Sequence, residues 1–91
     1  MDFTAIDLRV GTVVEAARDG DALRLTIDVG GVTRAAVSHI TENYGPDDLR
    51  GTQVVVVPSG EDVVVLAAVS PSDGAVLLRP DRPVADGTQV V

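Results

Sequence analysis

The sequence predicts an all-β fold, a five-stranded Greek-key barrel with one short helix after the third strand, and three observations point there. Residues 22–29 alternate cleanly between apolar and polar side chains, the period of a half-buried strand. Valine-rich runs at residues 53–57 and 63–69 are bounded by clusters of Gly, Pro, Asp and Ser, the punctuation of strands joined by tight turns. Between the third and fourth strands lies the one stretch with helix signals, residues 39–51, where Gly45-Pro46 stops one turn and acids open another.

Taken in order, residues 1–6 form a lead-in pinned by Phe3 and Ile6. Residues 7–17 form a first strand carrying Gly11. A glycine there marks a bulge or a corner that lets one strand serve two sheets, or else it sits in an ordinary edge strand. Arg18-Asp19-Gly20-Asp21 is a turn, and the second strand follows with Leu23, Leu25, Ile27 and Val29 on one face and Arg24, Thr26 and Asp28 on the other. Gly30-Gly31 makes a hairpin into a third strand over residues 32–38. If the two glycines alone form the loop, Arg34 turns inward. A one-residue bulge instead turns Ala35 and Val37 inward and Arg34 outward, and the cost of an unpaired buried guanidinium favours the bulge.

Residues 53–57, 63–69 and 75–79 then read as buried strands, with residues 58–62 and 71–74 as turns. The tail, with Pro80, Pro83 and Gly87, is an ordered wrap or an edge strand beginning near Thr88. This order is that of an oligonucleotide/oligosaccharide-binding fold (OB-fold), and residues 1–91 are read as one such domain.

The bulk numbers limit function. With 91 residues and 45% hydrophobic content but only Phe3 and Tyr44 as aromatics, the core must be Val, Leu, Ile and Ala. Seven arginines, no lysine and fourteen acids give a net charge of −7, so nucleic acid must be met by a local arginine patch. The absence of cysteine removes disulfides and thiolate chemistry. No cofactor and no metal site are expected, because a lone His39 cannot close a zinc site and Asp19 and Asp21 lack the other oxygens of a calcium loop. Ser38 and His39 are strand neighbours that point to opposite faces, so no catalytic residue is assigned and the chain is not read as an enzyme. The longest apolar run, residues 63–69, is far too short for a membrane span, and a cytoplasmic protein is expected.

The polar groups with a functional case are Arg24 and Arg34, placed together on the exposed face of the second and third strands, with Arg9 near the glycine bend in support. Strand-face arginines contact phosphate or lie flat on a base. The alternative is that they balance acids, as in pairs of Arg24 with Asp28 or Arg34 with Glu42.

Asp2-Phe3, Asp7-Leu8-Arg9-Val10-Gly11, the second strand, Arg34-Ala35-Ala36-Val37-Ser38, Pro46-Asp47-Asp48-Leu49-Arg50-Gly51 and Leu77-Leu78-Arg79-Pro80-Asp81 occur in one order over nearly the whole chain. In this the chain resembles the tRNA-binding domain family, which includes the CsaA-like secretion chaperones and the C-terminal appendage of methionyl-tRNA synthetases. The resemblance implies a barrel, frequently a homodimer, that binds tRNA by shape and backbone, or a protein client in the chaperone branch. It places RNA contacts at Arg24, Arg34 and Ser38. The chain departs from the family where a lysine-rich loop is expected, since residues 58–62 replace it and carry Glu61 and Asp62. Fewer cations and aromatics weaken both the electrostatic and the stacking terms of RNA affinity, so the module is expected to bind weakly and without sequence specificity, or to have kept only protein binding.

Overall fold

The first strand is the hub of the architecture. In the computed structural model, which describes residues 6–39 and 43–91, β1 (Arg9–Asp19) pairs through Arg9 to Thr12 with β4 (Gln53–Ser59), and from Thr12 to Asp19 with β2 (Ala22–Asp28). The anchoring role expected of Phe3, the middle of the helical turn expected over residues 39–44 (residues 40–42) and the pairing of Arg34 with Glu42 fall outside the described residues. β1 is therefore central rather than an edge strand. The irregularity that lets it turn lies between Val13 and Glu15, which brings Val13 and Ala16 both into the core. Gly11 serves a different end. A Cβ there would stand 2.6 Å from Ile27 Cγ2 and 2.9 Å from the Asp28 carbonyl oxygen, so the missing side chain lets β2 press against β1.

β2 turns into β3 (Thr33–Ser38) through the two glycines. Asp28 Oδ1 accepts from the Gly30 and Gly31 amides at 2.9 and 3.1 Å, and the Val29 amide donates to the Val32 carbonyl at 2.9 Å. The expected bulge is absent. Leu23 faces Ser38, Leu25 faces Ala36 and Ile27 faces Arg34, so Ala36 and Ser38 turn inward, Ala35 and Val37 turn out, and Arg34 lies on the inward row. An inward position on β3 need not be a buried one. Arg34 sits where that row runs out at the end of the barrel, so its stem packs and its guanidinium reaches the rim.

The helix α1 (Pro46–Leu49) has Gly45 at its N-cap, Pro46 at the first position, and Asp48 accepting from the Gly45 amide at 2.7 Å. Asn43 and Tyr44 are not helical, so the helix stands after Gly45. Leu49 is fully buried, the Gly51 amide donates to the Val13 carbonyl at 2.7 Å, and Arg50 Nη2 donates to the Ala16 carbonyl at 2.7 Å. These bonds fix the helix against β1.

The valine runs are less uniform than expected. β4 and β5 (Asp62–Val65) form a hairpin around Gly60 and Glu61, so Pro58, Ser59 and Asp62 are strand residues and not loop. Residues 63–69 are two strands, divided at Leu66: β5 pairs with β4, while β6 (Ala67–Ser70) pairs with β7 (Gly74–Leu77). The corner is held by Leu66 donating to the Val55 carbonyl at 3.0 Å and accepting from the Leu78 amide at 3.2 Å. The covering is uneven: Val63 is buried and Ala67 packs in part against the core, whereas Val64 and Val69 are exposed.

The main sheet runs β3-β2-β1-β4-β5, and its outer strands β3 and β5 approach one another to leave a nearly closed antiparallel barrel of the OB type. The interior is Val13, Leu23, Leu25, Ile27, Val54 and Val56 with smaller neighbours. The tail seals the outer side of β1. Val10 donates to the Thr88 carbonyl and Val90 to that of Leu8, Arg9 bridges to Gln89, and Asp86 Oδ1 accepts from Thr12 Oγ1 at 2.6 Å. Gly87, at φ +87, makes this possible, because a Cβ would lie 2.7 Å from the Val29 carbonyl oxygen. Among the described residues no helix is long and apolar enough to cross a membrane.

Candidate nucleic-acid interface

Along β1 the inward positions before the irregularity are Arg9, Gly11 and Val13, because Arg9 faces the buried Val56 and Val13 faces the buried Ile27. Arg9 is thus the end of an inward row, as Arg34 is on β3. The two rows run out at the same end of the barrel, beside the β4–β5 hairpin, and both arginines line one cleft of about 250 Å³. Its apolar part comes from Val29, Val56, Pro58 and Val63, and its acids are Asp7 and Asp62.

The two guanidiniums are held differently. Arg9 Nε donates to Asp7 Oδ1 at 2.7 Å and Nη1 to the Gly87 carbonyl at 3.1 Å, so it is fixed to the wall from two sides. Arg34 Nη1 donates to the Glu61 carbonyl at 3.3 Å, a long bond that crosses the gap between β3 and the β4–β5 hairpin. Among the described residues Arg34 makes no ion pair. The cleft therefore carries two cations, one anchored and one lightly held.

The other two expected residues lie elsewhere. Arg24 faces Val37 on the outward side of the β2–β3 hairpin, so Arg24 and Arg34 do not share a face as expected: an even number of residues from Leu23 leads inward along β2, and Arg24 is one step off. Its partner is Asp19, with Nε to Oδ2 at 2.6 Å across the tight turn, and not Asp28. Both side chains are more than half exposed, so this pair holds Arg24 only loosely. Ser38 is 9% exposed and faces Leu23 at the opposite end of β3 from Arg34. The inward register removes it from any surface that Arg24 or Arg34 offers to a ligand.

Sequence reasoning missed the walls of the cleft. Asp7, Val29, Val56, Pro58 and Asp62 meet only in the folded chain, although the two-residue period from Val13 back to Arg9 marks Arg9 as inward-facing. It also missed a second, more open groove of about 460 Å³ where Arg79 and Arg82 join Thr12, Thr52 and Gln53. Arg79 lies 5.9 Å from the Tyr44 ring centroid, within cation–π reach. The polar groups of this groove are largely engaged within the protein: Thr12 on Asp86, Thr52 on the Leu49 carbonyl, Gln53 on Val84. Among the described residues no three metal-ligating side chains gather at one point.

No family model matches the chain. It is 43% identical over 96 residues to the methionine–tRNA ligase of Methanothrix thermoacetophila, covering 93% of this chain and 14% of that protein. To the methionine–tRNA ligase of Archaeoglobus fulgidus it is 35% identical over 100 residues, covering 98% of this chain and 15% of that protein. The chain thus spans 14–15% of the length of these curated relatives. Among solved structures, the chaperone CsaA of Bacillus anthracis superposes with a TM-score of 0.88 at 35% identity, over 99% of this chain and 94% of that one. A MetRS-related protein from Pyrococcus horikoshii, at 23% identity and a TM-score of 0.81 over 98% and 93% of the two chains, shares the fold. On the fold, the order of its motifs and these identities, the chain belongs to the tRNA-binding domain family, with the CsaA-like chaperones and the tRNA-binding domain of methionyl-tRNA synthetases.

Proposed function

We propose that the chain is a small RNA-binding module for tRNA or another structured RNA, weak and without sequence specificity, with no catalytic role, acting in the cytoplasm away from membranes. The observation that carries this reading is the convergence of Arg9 and Arg34 on one cleft at the open end of the barrel. Arg24 contributes a phosphate contact from the outer side of the β2–β3 hairpin, and Ser38 contributes none. A net charge of −7 leaves these arginines as a local patch in a repelling field, so affinity is low and mostly electrostatic. With about three phosphates neutralised, each adding roughly 0.7 to 0.9 to the slope of log affinity against log salt, the salt dependence is shallow. A gel-shift titration with tRNA at low salt tests the reading: a retarded complex that fades gradually with salt supports it, and free tRNA at high micromolar protein overturns it.

A second reading has its own observation. Val37 and Val64 are both more than half exposed and lie on the outer side near Arg24, where Ala35 and Val37 of β3 meet Val63 and Val64 of β5 across the gap. Such a surface suits a protein partner, as expected of a chaperone-like module that has lost RNA binding. Capture from lysate with and without nuclease separates the two, since a partner that persists after nuclease treatment favours protein. The exposed valines also support a homodimer, in which two weak arginine clefts act together on one large RNA. Light scattering at micromolar concentration tests this, and a mass near the 9.4 kDa of one chain overturns it.

A further inference from the structure

We infer that the cleft between Arg9 and Arg34 takes one unstacked nucleotide of the bound RNA, with the base inside and the phosphate at the rim. This rests on the RNA reading above and goes further in naming what enters the barrel. The volume of about 250 Å³ falls below the range of sites for larger ligands and suits a single ring system. Val29 and Pro58 give the cleft accessible apolar walls, against which a flat base can lie. The lightly held Arg34, with its 3.3 Å bond to the Glu61 carbonyl, can leave that carbonyl and lie on the face of the base, as guanidinium planes do with single-stranded RNA.

The charges select the ligand. Asp62, next to the inward-facing Val63, borders both this cleft and the outer groove of β5, so an acceptor for the exocyclic N–H groups of a base stands at the β5 edge of the cleft. A peptide carboxy-terminus would bring its negative charge against that same carboxylate. In a nucleotide the phosphate is a ribose away from the ring, so the base meets the acid while the phosphate meets a guanidinium. Arg9, held by Asp7 and by the Gly87 carbonyl, is already positioned for that contact.

The test is titration of isotope-labelled protein by amide NMR with adenosine 5′-monophosphate, cytidine 5′-monophosphate, ribose 5-phosphate and an acetylated tripeptide with a free carboxylate. Saturable shifts at Val29, Val56, Gly60 and Asp62 are expected with both mononucleotides at millimolar concentration. Loss of the stacking guanidinium in Arg34→Ala should weaken them at least about fivefold, whereas Arg82→Ala, which removes the same charge from the exposed tail, should leave them unchanged. Retained spectral dispersion shows that the variant folds, and Arg34→Gln provides a second substitution with a longer polar side chain. Equal shifts from ribose 5-phosphate, saturable binding of the tripeptide in place of the nucleotides, or no response to mononucleotides would each overturn the inference. A parallel tRNA titration separates the two levels. Binding of tRNA without a mononucleotide response removes the cleft assignment and leaves the RNA reading standing; the reverse pattern removes the RNA reading and with it the inference, leaving a site for free mononucleotides.

Discussion

At one end of the barrel α1 is bonded to β1, with Leu49 filling the core and Tyr44 packed against that core; at the other end the inward rows finish in Arg9 and Arg34 and leave a cleft. The strands are shared, and the residue types at the row ends differ. Where a row ends in an aliphatic side chain supplied by the helix, dispersion and apolar burial close the gap. Where it ends in arginine, the guanidinium must stay hydrated or paired, so the end cannot collapse. Stability thus concentrates at the helical end, and polar chemistry at the arginine end.

That contrast can be broken at either side. Leu49→Ala empties a fully buried site and should cost about 2–5 kcal/mol of unfolding free energy, measured by denaturant titration. Gly11→Ala forces a methyl against Ile27 and the Asp28 carbonyl and should cost roughly 1–3 kcal/mol by the same measurement, since backbone on one side cannot yield. Arg34→Ala reverses the pattern: its midpoint should move little, while tRNA affinity at low salt falls about tenfold, as expected when a central binding side chain is truncated. Smallest of all, Arg24→Ala removes an exposed pair with Asp19, worth under about 1 kcal/mol to the fold, and should lower tRNA affinity less than Arg34→Ala does.

The two ends also differed in how far the sequence exposed them. The β2 alternation, the Gly30-Gly31 hairpin and the acid-led turn at Pro46 are local signals, and each element appears where those signals stand. The arginine end is not local. Its walls come from Asp7 and Arg9, from Val29 and Arg34, from the β4–β5 hairpin and from Gly87, which meet through the β1–β4 pairing, the approach of β3 to β5 and the tail bridge at Gln89. The direction of Arg34 is not legible in the sequence, because a two-residue period tells which side a residue faces and not whether that side is covered at the strand's end. Residues 63–69 hid their corner for a related reason: an unbroken apolar run carries no period, and Leu66 is fixed by hydrogen bonds to Val55 and Leu78, neither adjacent in sequence.

The most direct test of the arginine end as the RNA site is tRNA titration of Arg34→Ala and Arg24→Ala side by side at low salt. The two substitutions remove equal charge from opposite faces of one hairpin, so any uniform loss of electrostatic attraction cancels between them. The larger loss of affinity should fall on Arg34→Ala. Equal losses, or a larger loss for Arg24→Ala, would contradict this assignment and move the interface to the outer side of the sheet.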